Sequence, residues 1–191
     1  LSSMEGQNYL AYGKSVLSLL AIEDLIGSER LNTVIRKMVD KSRNKSIPSI
    51  AFQDFLNELN PTCNASEMIL IQDWLEKVIH YDIKIESAQS SELDNGSFEI
   101  RLTYSAKKLE TLPDGSIREI ELNEPIRIAL FENHPNENIL EEELISSEIF
   151  TLESGKNELI LHSKVKPKWV GIDPWGTRPD QARRDNFLKI E

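Results

Sequence analysis

Cysteine occurs once in this chain, at Cys63, so there is no disulfide framework and no thiolate zinc site. A single thiol of this kind reads as a small buried hydrophobe rather than a nucleophile. Basic residues are also short: 22 Lys and Arg stand against 32 Asp and Glu, a formal net charge of −10. Nucleic-acid affinity comes mostly from neutralising phosphates with Lys and Arg, so DNA and RNA are poor partners for this surface. An anionic membrane surface repels it for the same reason. Long apolar runs are missing too. The most apolar stretch, Val16 to Ile26, is interrupted by Glu23 and Asp24 and is too short to span a bilayer. Leu1 to Gly6 shows no basic start followed by an apolar run, the pattern of a secretory signal. The chain starts with Leu and enters a helical pattern almost at once, which reads as a segment of something longer with targeting information upstream.

What is present is ordinary globular material, 39% hydrophobic and 28% charged, with length enough to bury a proper core. The periodicity changes near Tyr81. Before it, apolar residues recur at helical spacing. A first helix is expected from about Gln7 to Ile26, apolar nearly all round and therefore buried, with Gly27 as its C-terminal cap. Ser28 then caps a second helix in which Leu31, Val34, Ile35, Met38 and Val39 follow the i, i+3, i+4 pattern. Its Lys37, Lys41 and Arg43 gather toward the C-terminal end, where the helix dipole favours positive charge. A third helix is expected near Ser49 to Leu59. Asn64 and Glu67 form a capping box for a fourth, whose stripe is Ile71, Trp74, Leu75, Val78 and Ile79.

From Asp82 the period becomes two. Ile83 and Ile85 alternate with charges, as do Phe98, Ile100, Leu102 and Tyr104. Ile120 and Leu122 follow, then Ile126, Ile128 and Leu130, and later Ile149 to Leu152, Leu159 to His162 and Trp169 to Ile172. Turn signals separate the runs at Asp94-Asn95-Gly96, Pro113-Asp114-Gly115 and Ser154-Gly155-Lys156-Asn157. About seven antiparallel strands at this spacing imply a β-sandwich. The expected class is α+β, with a helical unit over residues 1–80, a β-sandwich over 81–175 and a surface tail over 176–191 packed locally by Trp175.

Chemical motifs are scarce. There is no His-Glu-x-x-His, no phosphate-binding glycine loop and no nucleophile elbow. His80, His134 and His162 lie far apart and read as scattered surface or capping residues, not as a zinc site. Glu137, Glu141, Glu142 and Glu143 lack the Asp/Asn/Gly alternation of a calcium loop and read as a solvated face. Trp169 and Trp175 are candidates for a sugar platform, but packing is the plainer role beside Pro at a sandwich edge. Asn-x-Ser sequons at Asn44, Asn64 and Asn95 carry no weight in a chain this rich in Asn and Ser.

The run Asn8-Tyr9-Leu10-Ala11-Tyr12-Gly13-Lys14-Ser15-Val16-Leu17, continuing through Asp24-Leu25-Ile26-Gly27-Ser28-Glu29, resembles a segment of peptidase family M one, the gluzincins that include alanyl aminopeptidases and leukotriene hydrolase. That family has a Tyr-x-Lys-Gly sequence opening a helix after its zinc-binding helices; Ser15 stands here where the family usually has Gly. The similarity continues at Pro48-Ser49 to Phe55-Leu56, Asp73-Trp74-Leu75-Glu76 and Tyr81-Asp82-Ile83-Lys84-Ile85. It closes at Lys166-Pro167-Lys168-Trp169-Val170-Gly171-Ile172-Asp173-Pro174. These last segments resemble bacterial members whose peptidase part follows a transporter-permease-like membrane region. The resemblance implies the C-terminal part of a zinc aminopeptidase that acts on peptide substrates. Its zinc ligands and catalytic domain would lie upstream, its parent would be anchored in a bacterial membrane, and this segment would hold no metal ligand of its own. It also implies a role for Tyr12: donating its hydroxyl proton to the oxyanion formed when zinc-bound water attacks the scissile carbonyl. By itself Tyr12 reads first as a helix-face residue with its hydroxyl at a wet edge, and only the surrounding resemblance reverses that order. Tyr9, three residues earlier on the same face, is the rival, and only Tyr12 sits two residues before Lys. The competing expectation is a non-catalytic interaction module from a parent that has lost its zinc site.

Overall fold

The computed structural model describes residues 15–43, 52–135 and 143–191. Four α-helices come first: α1 (Ser15–Ile26), α2 (Ser28–Arg43), α3 (Phe52–Leu59) and α4 (Ala65–Glu76). Eight strands follow: β1 (Val78–Glu92), β2 (Phe98–Thr111), β3 (Ile117–Ile120), β4 (Asn123–Phe131), β5 (Leu144–Glu153), β6 (Gly155–Ser163), β7 (Trp169–Ile172) and β8 (Phe187–Lys189). The class is α+β, a helical unit followed by an antiparallel β-sandwich. Contacts divide the chain into two compact units, Leu1–Val78 and Ile79–Glu191.

In the helical unit, Gly27 takes φ +83°, the left-handed conformation that ends α1 and lets α2 begin at the next residue. The capping box forms as the spacing requires: Glu67 N–H donates to Asn64 Oδ1 at 2.9 Å, and Asn64 N–H donates to Glu67 Oε2 at 2.8 Å. Glu67 also receives both guanidinium nitrogens of Arg30, at 2.8 and 2.9 Å, which ties α2 to the start of α4. Ile22, Leu31, Val34, Leu59, Ile71, Trp74 and Leu75 make the core of this unit. No helix among the described residues is long and apolar enough to cross a membrane.

The helical stripe expected to include Val78 and Ile79 is instead divided. Helix α4 stops at Glu76, and β1 begins at Val78. Trp74 and Leu75 stay in the helical core, while Ile79 joins Tyr81, Ile83 and Ile85 in the sandwich core. Residues 74, 75, 78 and 79 fit a helical period, but 79, 81, 83 and 85 fit a strand equally well. The β-branched Val78-Ile79 pair goes with the strand.

One sheet holds β1, β2, β3 and β6. Strand β1 lies on one side of β2, and β6 and β3 share its other side. Residues Phe98–Ala106 pair with β6 and Lys108–Thr111 with β3. The second sheet runs β5-β4-β7-β8. Ile100, Leu102 and Tyr104 from the first sheet meet Ile126, Ile128, Leu130, Val170 and Ile172 from the second in a common core. The eighth strand lies in the segment read as a tail. Phe187–Lys189 pairs with β7, and Glu191 exchanges backbone hydrogen bonds with Ala88 and Ser90 of β1 at 3.0 and 2.9 Å. The segment from Asp173 to Glu191 therefore bridges the β7 edge of one sheet and the β1 edge of the other. It is a strap, built into the sandwich.

Candidate functional site

Tyr12, assigned by resemblance to an oxyanion, lies outside the described residues, as do its rival Tyr9 and the acidic residues Glu137, Glu141 and Glu142. Ser15 is the first described residue of the segment, at the start of α1. The histidines do not converge. His80 stands on β1 with Nε2 buried, His162 is exposed on β6 and pairs with Glu99 in register, and His134 packs edge-on against Trp169 with ring centroids 4.4 Å apart. Among the described residues no three His, Cys, Asp or Glu side chains gather to hold a metal. The two tryptophans have separate partners. Trp169 faces His134, and Arg127 lies over the Trp175 ring, 5.9 Å from its centroid. Cys63 is half-buried, and burial pushes its thiol above the ordinary range, the opposite of an activated nucleophile.

The structure does bring together a set of charged groups in the sandwich core. Glu124 on β4 is fully buried, and three elements converge on its carboxylate. Lys108 of β2, from the facing sheet, places Nζ 2.6 Å from Oε1. Tyr81 of β1 donates its hydroxyl to Oε2 at 2.9 Å. Arg178 of the strap brings Nε to 3.5 Å from Oε2, a Coulombic contact at the outer limit of a hydrogen bond. The rest of that guanidinium is used on the backbone and strap: one terminal nitrogen donates to the Pro125 carbonyl at 2.9 Å and the other to Thr177 Oγ1 at 3.0 Å. Lys108 and Arg178 are 2% and 1% exposed, so all these charges have left water and each must be answered locally.

Asp173 is what aims Arg178 inward. It ends β7 with φ +47°, a left-handed conformation that Asp tolerates better than most residues. Its carboxylate accepts from Thr177 N–H at 2.9 Å, Thr177 Oγ1 at 2.8 Å and Arg178 N–H at 2.8 Å, closing a tight turn. Burial pushes the Asp173 carboxyl above the ordinary carboxylate range, against the hydrogen bonds from Arg178 and Thr177 that pull it down. Gly176 completes the turn at φ +67°, where a Cβ would also lie 2.5 Å from the Arg183 guanidinium carbon. Beyond it, Pro179 O accepts from Tyr81 N–H at 2.8 Å and Asp180 Oδ2 accepts from Ile83 N–H at 3.0 Å. The Asn186 amide, with Nδ2 turned toward them, donates to Asp180 Oδ2 at 3.3 Å and to the Ile83 carbonyl.

Counted by formal charge, Glu124 and Asp173 balance Lys108 and Arg178. The members of the cluster are buried on every side, with no open face for a substrate atom among the described residues, so what it does chemically is fasten the strap and the two sheets together. The alternation of the strands carried the signal for half of it. Lys108 continues the inward series Ile100, Leu102, Tyr104, Ala106, and Glu124 precedes the inward series Ile126, Ile128, Leu130. A positive and a negative residue at inward positions of facing strands are a pair waiting to be read. Arg178, in a segment with no period, carried no such signal.

The chain matches no family model and no curated protein.

Proposed function

We propose that this chain is the C-terminal portion of a zinc-dependent aminopeptidase of the gluzincin type, which removes N-terminal residues from peptides. The observation that carries the reading is the resemblance over Asn8 to Glu29, with Tyr12 two residues before Lys14. The α+β class, helices first and a sandwich after, is compatible with it. The described residues hold no ligand set for zinc, so the metal, which supplies the activated water, belongs in this reading to upstream residues, and no step through it is derived from this chain. The chain's own part is Tyr12. A phenol in a fixed position donates one hydrogen bond to charge that develops on the scissile carbonyl oxygen, and that bond strengthens as the charge grows. The sandwich, fastened by the Glu124 cluster, is the β-domain that follows the catalytic part in sequence.

The test is the polypeptide upstream of Leu1. Under this reading it carries His-Glu-x-x-His and a later Glu ligand, and the full-length protein retains one tightly bound zinc and cleaves N-terminal residues from peptides. An upstream sequence without these ligands, or a full-length protein that keeps no zinc after dialysis, points instead to a non-catalytic interaction module.

A further inference from the structure

The chain contains two hairpin turns built to one plan. In the first, Ser97 N–H donates to Asn95 Oδ1 at 3.0 Å and Ser97 Oγ donates to the same oxygen at 2.7 Å. In the second, Ser116 N–H and Oγ donate to Asp114 Oδ1 at 2.9 and 2.6 Å. Each has glycine at the next position with positive φ, Gly96 at +78° and Gly115 at +83°. In each, that glycine's N–H donates to the carbonyl three residues back, Leu93 and Leu112, at 2.9 Å. Such turns suit Asn and Asp because their short side chains bond the backbone two residues on. The turns differ at the acceptor, a carboxamide at 95 and a carboxylate at 114, and at the residue before it, Asp94 in the first and Pro113 in the second.

We propose that Asn95 is a site of spontaneous deamidation, with the Ser97 donors acting on the reacting carbonyl. The Gly96 nitrogen, its proton taken up by hydroxide, attacks Asn95 Cγ. The carbonyl π electrons move onto Oδ1, where two hydrogen bonds already point at the charge that forms. When they return, the bond from Cγ to the side-chain nitrogen breaks and ammonia leaves with a proton from water. The result is a five-membered imide. Water then adds across either of its two C–N bonds, leaving an aspartyl or an isoaspartyl residue at this position. No oxidant or reductant is involved. Gly96 offers no side chain to obstruct the attack, and nothing lies within 4 Å of where a Cβ would be. The opposing term is the Gly96 N–H bond to Leu93 O, which must open first. Asn95 and Gly96 are exposed at a hairpin tip, where such bonds open readily.

Asp114 is the built-in comparison. Hydrogen bonds from Ser116, first from its hydroxyl and then from its backbone, hold the carboxyl below the ordinary range. An ionised carboxylate is a poor electrophile, so the same ring closes far more slowly there at neutral pH. The second turn also shows that a carboxylate is accommodated in this geometry. Conversion of Asn95 to the aspartyl form therefore leaves the hairpin intact and adds one negative charge.

The experiment ages the whole chain in mildly alkaline buffer, digests it and follows each Asn peptide by mass spectrometry, with a synthetic peptide spanning Leu93 to Phe98 as the unfolded reference. The Asn95 peptide should gain the mass of an amide converted to an acid and split into two products. Peptides holding Asn57, Asn123 and Asn157, each followed by Glu, should not change on the same timescale. Ser97→Ala should slow the conversion roughly threefold to tenfold, since an exposed donor is worth far less than one in a closed active site. Asn95→Asp should keep the far-ultraviolet spectrum of the parent. An Asn95 that stays intact in the folded chain while the free peptide converts, or a Ser97→Ala variant that converts at the unaltered rate, overturns the proposal.

Discussion

Replacing Arg178 by Met keeps most of the aliphatic volume of the side chain and removes its charge from the sandwich core. In the native cluster Lys108 and Arg178 balance Glu124 and Asp173; the variant leaves one net negative charge among groups that are almost wholly buried. The Pro125 carbonyl also loses its side-chain donor. Removing one partner of a buried ionic set costs about 3–5 kcal/mol, because the remaining charge stays out of water without its counter-charge. A domain of ordinary stability has about 5–15 kcal/mol in all, so the loss is a large part of the whole. At roughly 4 °C per kcal/mol, the midpoint of the β-unit should fall by about 12–20 °C. Urea unfolding followed by tryptophan emission reads the free energy. Hydrogen exchange on peptides from β1, β4 and β8 then places it in the strap and its edges, with α2 and α4 peptides as internal controls. Adding Glu124→Gln restores neutrality, since Lys108 and Asp173 then balance. The double variant should therefore be more stable than the sum of the single losses by about 1–3 kcal/mol. An Arg178→Met variant that loses less than about 1 kcal/mol, or strictly additive single losses, would refute the claim that the strap is held by charge.

Gly171→Ala should destabilise the same unit by about 1–3 kcal/mol, because the new methyl group would stand 2.7 Å from two carbons of the Phe187 ring. Phe187→Leu in the same background should recover part of the loss in a thermal melt, and an unchanged melting temperature for Gly171→Ala would contradict the packing. The helical unit should lose stability in acid. Arg30 holds the Glu67 carboxyl below the ordinary range, helped by the Asn64 N–H, so the folded state binds its proton later than the unfolded one. That contribution is fully present above the ordinary carboxylate pKa and disappears as pH falls through the lowered one. Glu67→Gln should flatten the acid limb of helix content followed by circular dichroism, and an identical acid limb in the variant would rule the linkage out.

Where local chemistry and burial agree, the sequence was enough. Gly27 marked the junction of α1 and α2, although Ser28, read as the cap of α2, is its first residue and donates its hydroxyl to Glu23 at 2.5 Å; the Asn64 to Glu67 spacing gave a capping box that forms with both of its hydrogen bonds. Alternation placed the inward faces of β2 and β4. It was ambiguous at Val78 and Ile79, where the helical and strand periods meet at Ile79. The strap was read as a surface tail because nothing in Asp173 to Glu191 repeats. Its order comes from single long-range contacts, Arg178 to Glu124, Pro179 to Tyr81 and Asp180 to Ile83, which leave no periodic trace. The Tyr12 reading came only through resemblance to a family, since in sequence one tyrosine in an apolar run looks the same whether it packs or donates a proton.

The central claim is the role of Tyr12, and the full-length parent with Tyr12→Phe tests it most directly. The substitution removes one hydroxyl and keeps the ring, so binding in the ground state should change little. Loss of a donor to the oxyanion should lower kcat by roughly 10²- to 10³-fold. KM should move far less, the pattern of an interaction made only in the transition state. Tyr9→Phe, the control three residues earlier, should cost little. A Tyr12→Phe enzyme that keeps near-normal turnover while the parent is active would contradict the account and leave Tyr12 without a catalytic role.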